Sequence, residues 1–282
     1  MLRKIGVIGA GTMGTGIAQV VATMGYDVVI NDIKQEYVEA SLEKIKKALA
    51  KLVEKEKLTE TQKNEAISRV SICVDLNAMK DCDLVIEAVL ENLDLKKSVF
   101  EKLNDICREE TIFASNTSSM SITEIAKGSG RPDRFCGIHF FNPVPVMKLV
   151  EVIYGLNTNK KTVEHTLEFV LSIGKTPVEV KKDSPGFIVN RLLIPYLNEA
   201  ARLLDEGVAS VEDIDTAVKL GLNYPMGPFQ MLDFGGIELS VTISEYFKNE
   251  FNDLGYAPQL ILKQMIRAGK TGMKNGEGFY KY

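Results

Sequence analysis

The chain of 282 residues is long enough for one large domain or two of ordinary size. Its 34 basic and 38 acidic residues give a formal charge of −4, which offers no footprint for nucleic acid or for an anionic membrane. The four cysteines (Cys73, Cys82, Cys107, Cys136) form no CxxC pair, which speaks against a disulfide framework or a zinc site. No apolar run approaches the length of a membrane span, and a strand-like segment begins at Ile5, so a cytoplasmic location is expected, with no metal and no membrane partner.

In chain order, β-rich runs fall at Lys4–Ile8, Asp27–Asn31, Val70–Val74, Leu84–Ala88, Ile112–Ser115, Phe135–Phe141, Leu149–Ile153 and Thr176–Lys181. Between them lie helical patterns at Thr12–Met24, Glu36–Glu56, Leu93–Cys107, Ser121–Ala126 and Lys160–Ile173. The alternation predicts βαβ units around a largely parallel, Rossmann-type sheet. After Lys182 the pattern changes. Ser184-Pro185-Gly186 opens a helical run to Glu206, closed by Gly207, and Ser210-x-x-Asp213 opens another. Strand-like character returns only at Gly278–Lys281. The expected architecture is α/β, with a nucleotide-binding domain over residues 1–182 and an all-helical domain over 183–282.

The turn after the first strand reads Gly9-Ala-Gly11-Thr12-Met13-Gly14, a GxGxxG leading straight into a helix. Gly9 allows the tight turn, Gly11 lets the backbone approach a pyrophosphate, and Gly14 permits close helix–strand packing. The phosphates would meet free N–H groups at a helix N-terminus. The second strand ends at Asp32, 21 residues past Gly11, where a carboxylate accepts the adenosine ribose hydroxyls and repels a 2′-phosphate. This favours NAD over NADP as the cofactor. A glycine turn used only for packing is the competing reading.

Two polar residues interrupt apolar strands. His139 lies in Cys136-Gly-Ile-His139-Phe-Phe-Asn142-Pro143, and Glu151 follows twelve residues later in Lys148-Leu-Val-Glu151-Val-Ile153. Buried polar groups are costly unless paired, so the two invite a common purpose. A histidine suits proton transfer at an alcohol, and a carboxylate on its other nitrogen fixes the tautomer. A hydrogen-bonded structural histidine fits the spacing equally well. The second histidine, His165, sits in a polar helical stretch and reads as a surface residue. Ser118, in Ala114-Ser-Asn116-Thr-Ser118, is either a turn residue or a hydroxyl donor. Asn190 shares an apolar helical face with Phe187, Ile194 and Leu197, as a core polar residue or as a ligand for a substrate oxygen.

These stretches together resemble the 3-hydroxyacyl-CoA dehydrogenase family, especially its short bacterial 3-hydroxybutyryl-CoA members. The likeness is carried by Gly9–Gly14, Ile86-Glu-Ala88, Ala114–Ser118, His139-Phe-Phe-Asn-Pro143, Met147–Glu151, Pro185–Arg191, Tyr224–Pro228 and Gly276–Tyr280, and so runs from end to end. It implies an NAD-dependent dehydrogenase of acyl-CoA substrates, with His139 as general acid/base, Glu151 orienting it, and Ser118 and Asn190 at the substrate oxygen. It implies cofactor contacts at Ala88, Glu91, Lys96, Asn116, Ser118, Asn142 and Lys274. It also implies coenzyme A contacts at Lys51 and Lys55, on a basic helix face with Lys44 and Lys47 that is otherwise a solvated charged surface. A homodimer built through the helical domain is a further implication. The alternatives are a related dehydrogenase of a free hydroxy acid or sugar acid, and a non-catalytic nucleotide-binding protein.

Overall fold

Runs of β-branched and aromatic residues form eight strands: β1 (Lys4–Ile8), β2 (Asp27–Asn31), β3 (Val70–Cys73), β4 (Leu84–Glu87), β5 (Ile112–Ser115), β6 (Phe135–Phe140), β7 (Leu149–Tyr154) and β8 (Thr176–Val180). Each bound lies within one residue of the sequence expectation. The structure is a computed structural model that describes residues 2–282, and it divides into two units, Met1–Ser184 and Pro185–Tyr282.

In the first unit all eight strands join one sheet in the order β3-β2-β1-β4-β5-β6-β7-β8. Every neighbouring pair is parallel except β6 and β7, which run antiparallel. The crossovers are made by α1 (Thr12–Thr23), α2 (Gln35–Glu54), α3 (Glu60–Ser68), α4 (Leu93–Ile106), α5 (Ile122–Lys127) and α6 (Lys160–Ser172). The strand cores are near-continuous apolar runs, as a sheet covered on both faces requires. Ile17 and Val21 of α1, fully buried against β1 and β2, each contribute about 1.5–3 kcal/mol of burial energy. Small residues on the same helix permit close approach: a Cβ on Gly16 would lie 2.9 Å from that of Val144.

One helix of this unit has no apolar signature. In α3 only Ala66 is buried, and the helix is defined instead by a capping box in which Thr59 and Gln62 satisfy each other's backbone N–H groups.

The second unit holds α7 (Val189–Asp205), α8 (Val211–Gly221), α9 (Pro228–Gly235), α10 (Ile237–Phe251) and α11 (Leu260–Arg267). Two expectations are corrected here. The α7 helix starts at Val189, not at Ser184, because Gly186 and Phe187 have φ of 74° and 52°. Two consecutive left-handed residues cannot carry a right-handed helix. Phe187 is buried ahead of the helix, so it does not share a helical face with Asn190, whereas Ile194 and Leu197 lie buried along α7. The C-terminal segment makes only isolated bridges, Gly272 with Glu277 and Glu277 with Lys281, rather than a strand. It is held by the buried Asp233, whose carboxylate accepts the N–H groups of Phe279 and Tyr280, each at 2.9 Å.

Among the described residues no helix is long and apolar enough to cross a membrane. Nor, among them, is any group of three or more His, Cys, Asp or Glu side chains placed to hold a metal ion.

Candidate active site

The strand order reverses between β1 and β4, and in open α/β sheets the crevice outside the carboxyl ends of two such strands receives the ligand. The glycine turn lies there. Gly9 has φ of 106°, and a Cβ on it would sit 2.5 Å from the Ala88 carbonyl oxygen. A Cβ on Gly14 would sit 1.8 Å from the Gly9 oxygen, so the helix packs hard against the turn. Over Gly11 there is no atom within 4 Å. The turn is therefore closed behind and open in front, with Gly11 as the N-cap of the twelve-residue α1, and Thr12 and Met13 in its first turn. At its mouth the Asp32 carboxylate accepts the Ala10 N–H through Oδ2 and the Ile33 N–H through Oδ1, both at 2.7 Å. Open backbone at a helix N-terminus beside an anchored carboxylate fits the diphosphate and ribose of a dinucleotide.

A charged network closes the end of β4. Glu87, fully buried, receives Lys96 Nζ and the Val89 N–H on Oε1 and the Ser115 hydroxyl on Oε2, all at 2.7 Å. Lys96, 1% exposed on α4, also reaches Glu91 Oε2 at 3.1 Å. Burial alone would pull the Lys96 ammonium below its usual range, but Glu87 and Glu91 outweigh it and hold its pKa above 10.5. The other oxygen of Glu91 accepts the Thr117 hydroxyl and, at 3.2 Å, the Ser118 N–H. Ser118 itself is partly buried in this loop.

The histidine and glutamate meet. The β6–β7 register sets His139 opposite Glu151, and residues paired across an antiparallel ladder project from the same face. Both are buried, and His139 Nδ1 lies 2.8 Å from Glu151 Oε2. A carboxylate only accepts, so Nδ1 carries the proton in the neutral tautomer and Nε2 is left as the ring's acceptor. The Phe141 ring packs 4.3 Å from the imidazole, centroid to centroid. Asn116 bridges the two groups of residues: its N–H donates to the Glu87 carbonyl at 2.8 Å, and its Oδ1 accepts the Phe140 N–H at 2.9 Å.

Asn142 is exposed at the start of the β6–β7 connection, whose Asn142–Pro143 bond is cis. Farther along, the buried Lys175 donates to the carbonyls of Val144 and Met147 at 2.6 and 2.7 Å. In the helical unit, Asn190 is the second residue of α7 and partly buried, and Lys274 lies exposed on a short 3-10 turn, Met273–Asn275. Lys51 is exposed in the last turn of α2, and Lys55 is exposed one residue past its end. His165 is exposed on α6, beside a cavity of about 620 Å³ lined by Leu2, Asp83 and Thr111, at the amino ends of the strands and so away from the crevice. Glu87, Ser115, Thr117 and Lys175 are the site-forming residues that sequence reasoning does not single out.

A family model described as "3-hydroxyacyl-CoA dehydrogenase, NAD binding domain" matches residues 4–184, and one described as its C-terminal domain matches residues 186–282. The chain belongs to the 3-hydroxyacyl-CoA dehydrogenase family. As a 3-hydroxyacyl-CoA dehydrogenase it is an NAD-dependent oxidoreductase. It is 48% identical to a probable 3-hydroxybutyryl-CoA dehydrogenase of Deinococcus radiodurans, over 99% of this chain and 100% of that one. It is 47% identical to a 3-hydroxybutyryl-CoA dehydrogenase of Clostridioides difficile, over 99% of each. The crystal structure of the (S)-3-hydroxybutyryl-CoA dehydrogenase of Ralstonia eutropha superposes with a TM-score of 0.98 at 44% identity, covering 100% of this chain and 99% of the other.

Proposed function

We propose that the chain reversibly interconverts an L-3-hydroxyacyl-CoA and the matching 3-ketoacyl-CoA, with the four-carbon pair 3-hydroxybutyryl-CoA and acetoacetyl-CoA as substrates. The observation that carries this reading is the buried His139–Glu151 pair in the dinucleotide-binding unit. The names of the relatives supply the acyl class and the four-carbon preference.

Bound nicotinamide supplies or accepts the hydride at C3. In reduction His139 holds a proton on Nε2 for the 3-oxygen, and in oxidation the same nitrogen takes the hydroxyl proton. Glu151 keeps Nδ1 protonated and balances the imidazolium charge. Ser118 and Asn190 donate to the 3-oxygen as negative charge develops there, which contributes about 3 kcal/mol for a well-placed donor. Gly9, Gly11, Thr12, Met13 and Gly14 receive the diphosphate and Asp32 the adenosine ribose. Ala88, Glu91, Lys96, Asn116, Asn142 and Lys274 serve the nicotinamide half. Lys51 and Lys55, for which no described carboxylate lies within ion-pair distance, present their ammonium groups to the coenzyme A phosphates. A homodimer is the proposed assembly, built through the helical unit. The cytoplasm is the compartment proposed for the enzyme.

The deciding experiment follows NADH oxidation with acetoacetyl-CoA, run beside NADPH and beside free 3-keto acids. Turnover with NADH and the thioester is the expected result. Reduction of free acids with no action on acetoacetyl-CoA would overturn the substrate assignment.

A further inference from the structure

The Glu87 carboxylate is given no contact of its own with substrate or cofactor in the proposed reaction, yet it is fully buried and fully engaged at the crevice. It takes three donors from three separate places: Lys96 on α4, the Val89 N–H just past β4, and the Ser115 hydroxyl at the end of β5. Its own carbonyl receives the Asn116 N–H. A buried ion pair is a poor way to gain stability, since desolvation consumes much of the attraction and an apolar pair of the same size packs as well. What such a pair does provide is a fixed place for a charge.

That place matters because of what lies next to it. Lys96 is 1% exposed and held on one side by Glu87, while on the other it holds Glu91, a residue whose side chain is 39% exposed at the crevice. Glu91 in turn accepts from Thr117 and from the Ser118 N–H. The chain of contacts Glu87–Lys96–Glu91–Ser118 thus runs from the floor of the sheet to the loop at its surface. Ser115, Asn116 and Ser118 all belong to one four-residue stretch, and Glu87 grips its first two members directly.

We propose that Glu87 is the positioning residue of the nicotinamide end of the site. Its buried carboxylate fixes Lys96, through Lys96 it fixes Glu91, and through Ser115 it fixes the loop that presents Ser118, a loop its main-chain carbonyl also holds at Asn116. The inference rests on the reading that Glu91, Lys96 and Ser118 serve the cofactor. It adds a residue that acts only through them. Glu87 and Glu91 are the charged groups that face Lys96.

The test is Glu87→Gln, which keeps the size of the side chain and removes its charge. NADH binding is titrated calorimetrically between pH 6 and pH 10 on the wild type, on Glu87→Gln, on Lys96→Met and on the double variant. In Glu87→Gln the ammonium keeps its burial and loses one of its two counter-charges, so its pKa falls. Affinity is then expected to drop about tenfold or more at neutral pH, within the cost of misplacing an otherwise intact site. It is expected to weaken further as pH rises, where the wild type is flat. The double variant should lose less affinity than the two single losses added together, since Glu87 acts in part through Lys96. A merely structural role would lower the melting temperature without adding a pH-dependent step to NADH binding. Wild-type affinity and a flat profile in Glu87→Gln would overturn the proposal, as would fully additive losses. If the Gln variant does not fold, Glu87→Asp carries the test, because it keeps the charge but withdraws it by one methylene: weaker NADH binding supports the proposal, and unchanged binding overturns it. A wild-type protein that fails to bind NADH would instead sink the reading of the whole site.

Discussion

His139 on β6 and Glu151 on β7 stand directly opposite each other, with 2.8 Å between Nδ1 and Oε2. Removing either should separate binding from chemistry. In His139→Gln the rate of acetoacetyl-CoA reduction is expected to fall by about 10²–10⁴, the usual worth of a general acid. Glu151→Gln leaves the ring in place but lets the wrong nitrogen carry the proton, with a loss of up to about 10⁴. Calorimetric titration should find NADH affinity in both variants close to that of the wild type. Full turnover in either would refute the assignment.

Asp32 is tied by the Ala10 and Ile33 N–H groups and cannot swing aside to admit a 2′-phosphate. Replacing it by Ser should lower kcat/KM for NADH by about 10- to 100-fold, the worth of hydrogen bonds to a charged group. The preference for NADH over NADPH should shrink at the same time. Parallel assays with the two nucleotides measure both effects, and an unchanged ratio would show that Asp32 does not set it.

Gly14 admits no side chain, because a Cβ there would meet the Gly9 carbonyl oxygen at 1.8 Å. Gly14→Ala must push α1 away from the turn. A loss of about 1–3 kcal/mol in a denaturant melt is expected, together with weak NADH binding. Gly11→Ala is the contrast: with nothing within 4 Å it should fold normally and lose affinity for the nucleotide only.

Asp83 ties the start of β1 to β4 by accepting the Arg3 and Lys4 N–H groups at 2.7 and 3.0 Å. Burial raises the pKa of its carboxyl, but those two donors and the Arg108 guanidinium outweigh burial and leave the pKa below 3.8. A folded pKa below the unfolded one means stability that is present above pH 4 and lost as pH falls through the folded value. Asp83→Asn should therefore be less stable than the wild type at pH 7, by at most about 1 kcal/mol after solvent screening, and the gap should close toward pH 2. Thermal melts across that range test the sign.

The eight strands are legible in the sequence because a sheet covered on both faces writes itself as short β-branched runs. The helix α3 is not, since it buries only Ala66 and so leaves no periodic stripe. The start of α7 is misleading because Pro185-Gly186 reads as a helix opening, while the pocket around Phe247 demands a left-handed glycine there. At the site, the glycine turn and Asp32 are visible as a motif with a spacing. That His139 and Glu151 touch is not visible, since it depends on the register of β6 against β7. Glu87 is hidden for a different reason. An acid at the end of an apolar strand usually reaches water, and only the fold shows Lys96 arriving from α4 to cover it.

The connection between β6 and β7 is mostly exposed, with Asn142, Pro143, Pro145 and Val146 open to solvent. Surface loops of this kind ordinarily tolerate insertions and deletions. This one works as a ruler. Side chains alternate faces along a strand, so a single added residue that slipped β7 by one place would turn Glu151 to the far side of the sheet. Lys175 holds the Val144 and Met147 carbonyls, so a bulge in the loop would have to break those bonds. Length variation between positions 141 and 148 should therefore be as damaging to turnover as loss of the histidine, although no residue inserted there would touch the reacting atoms.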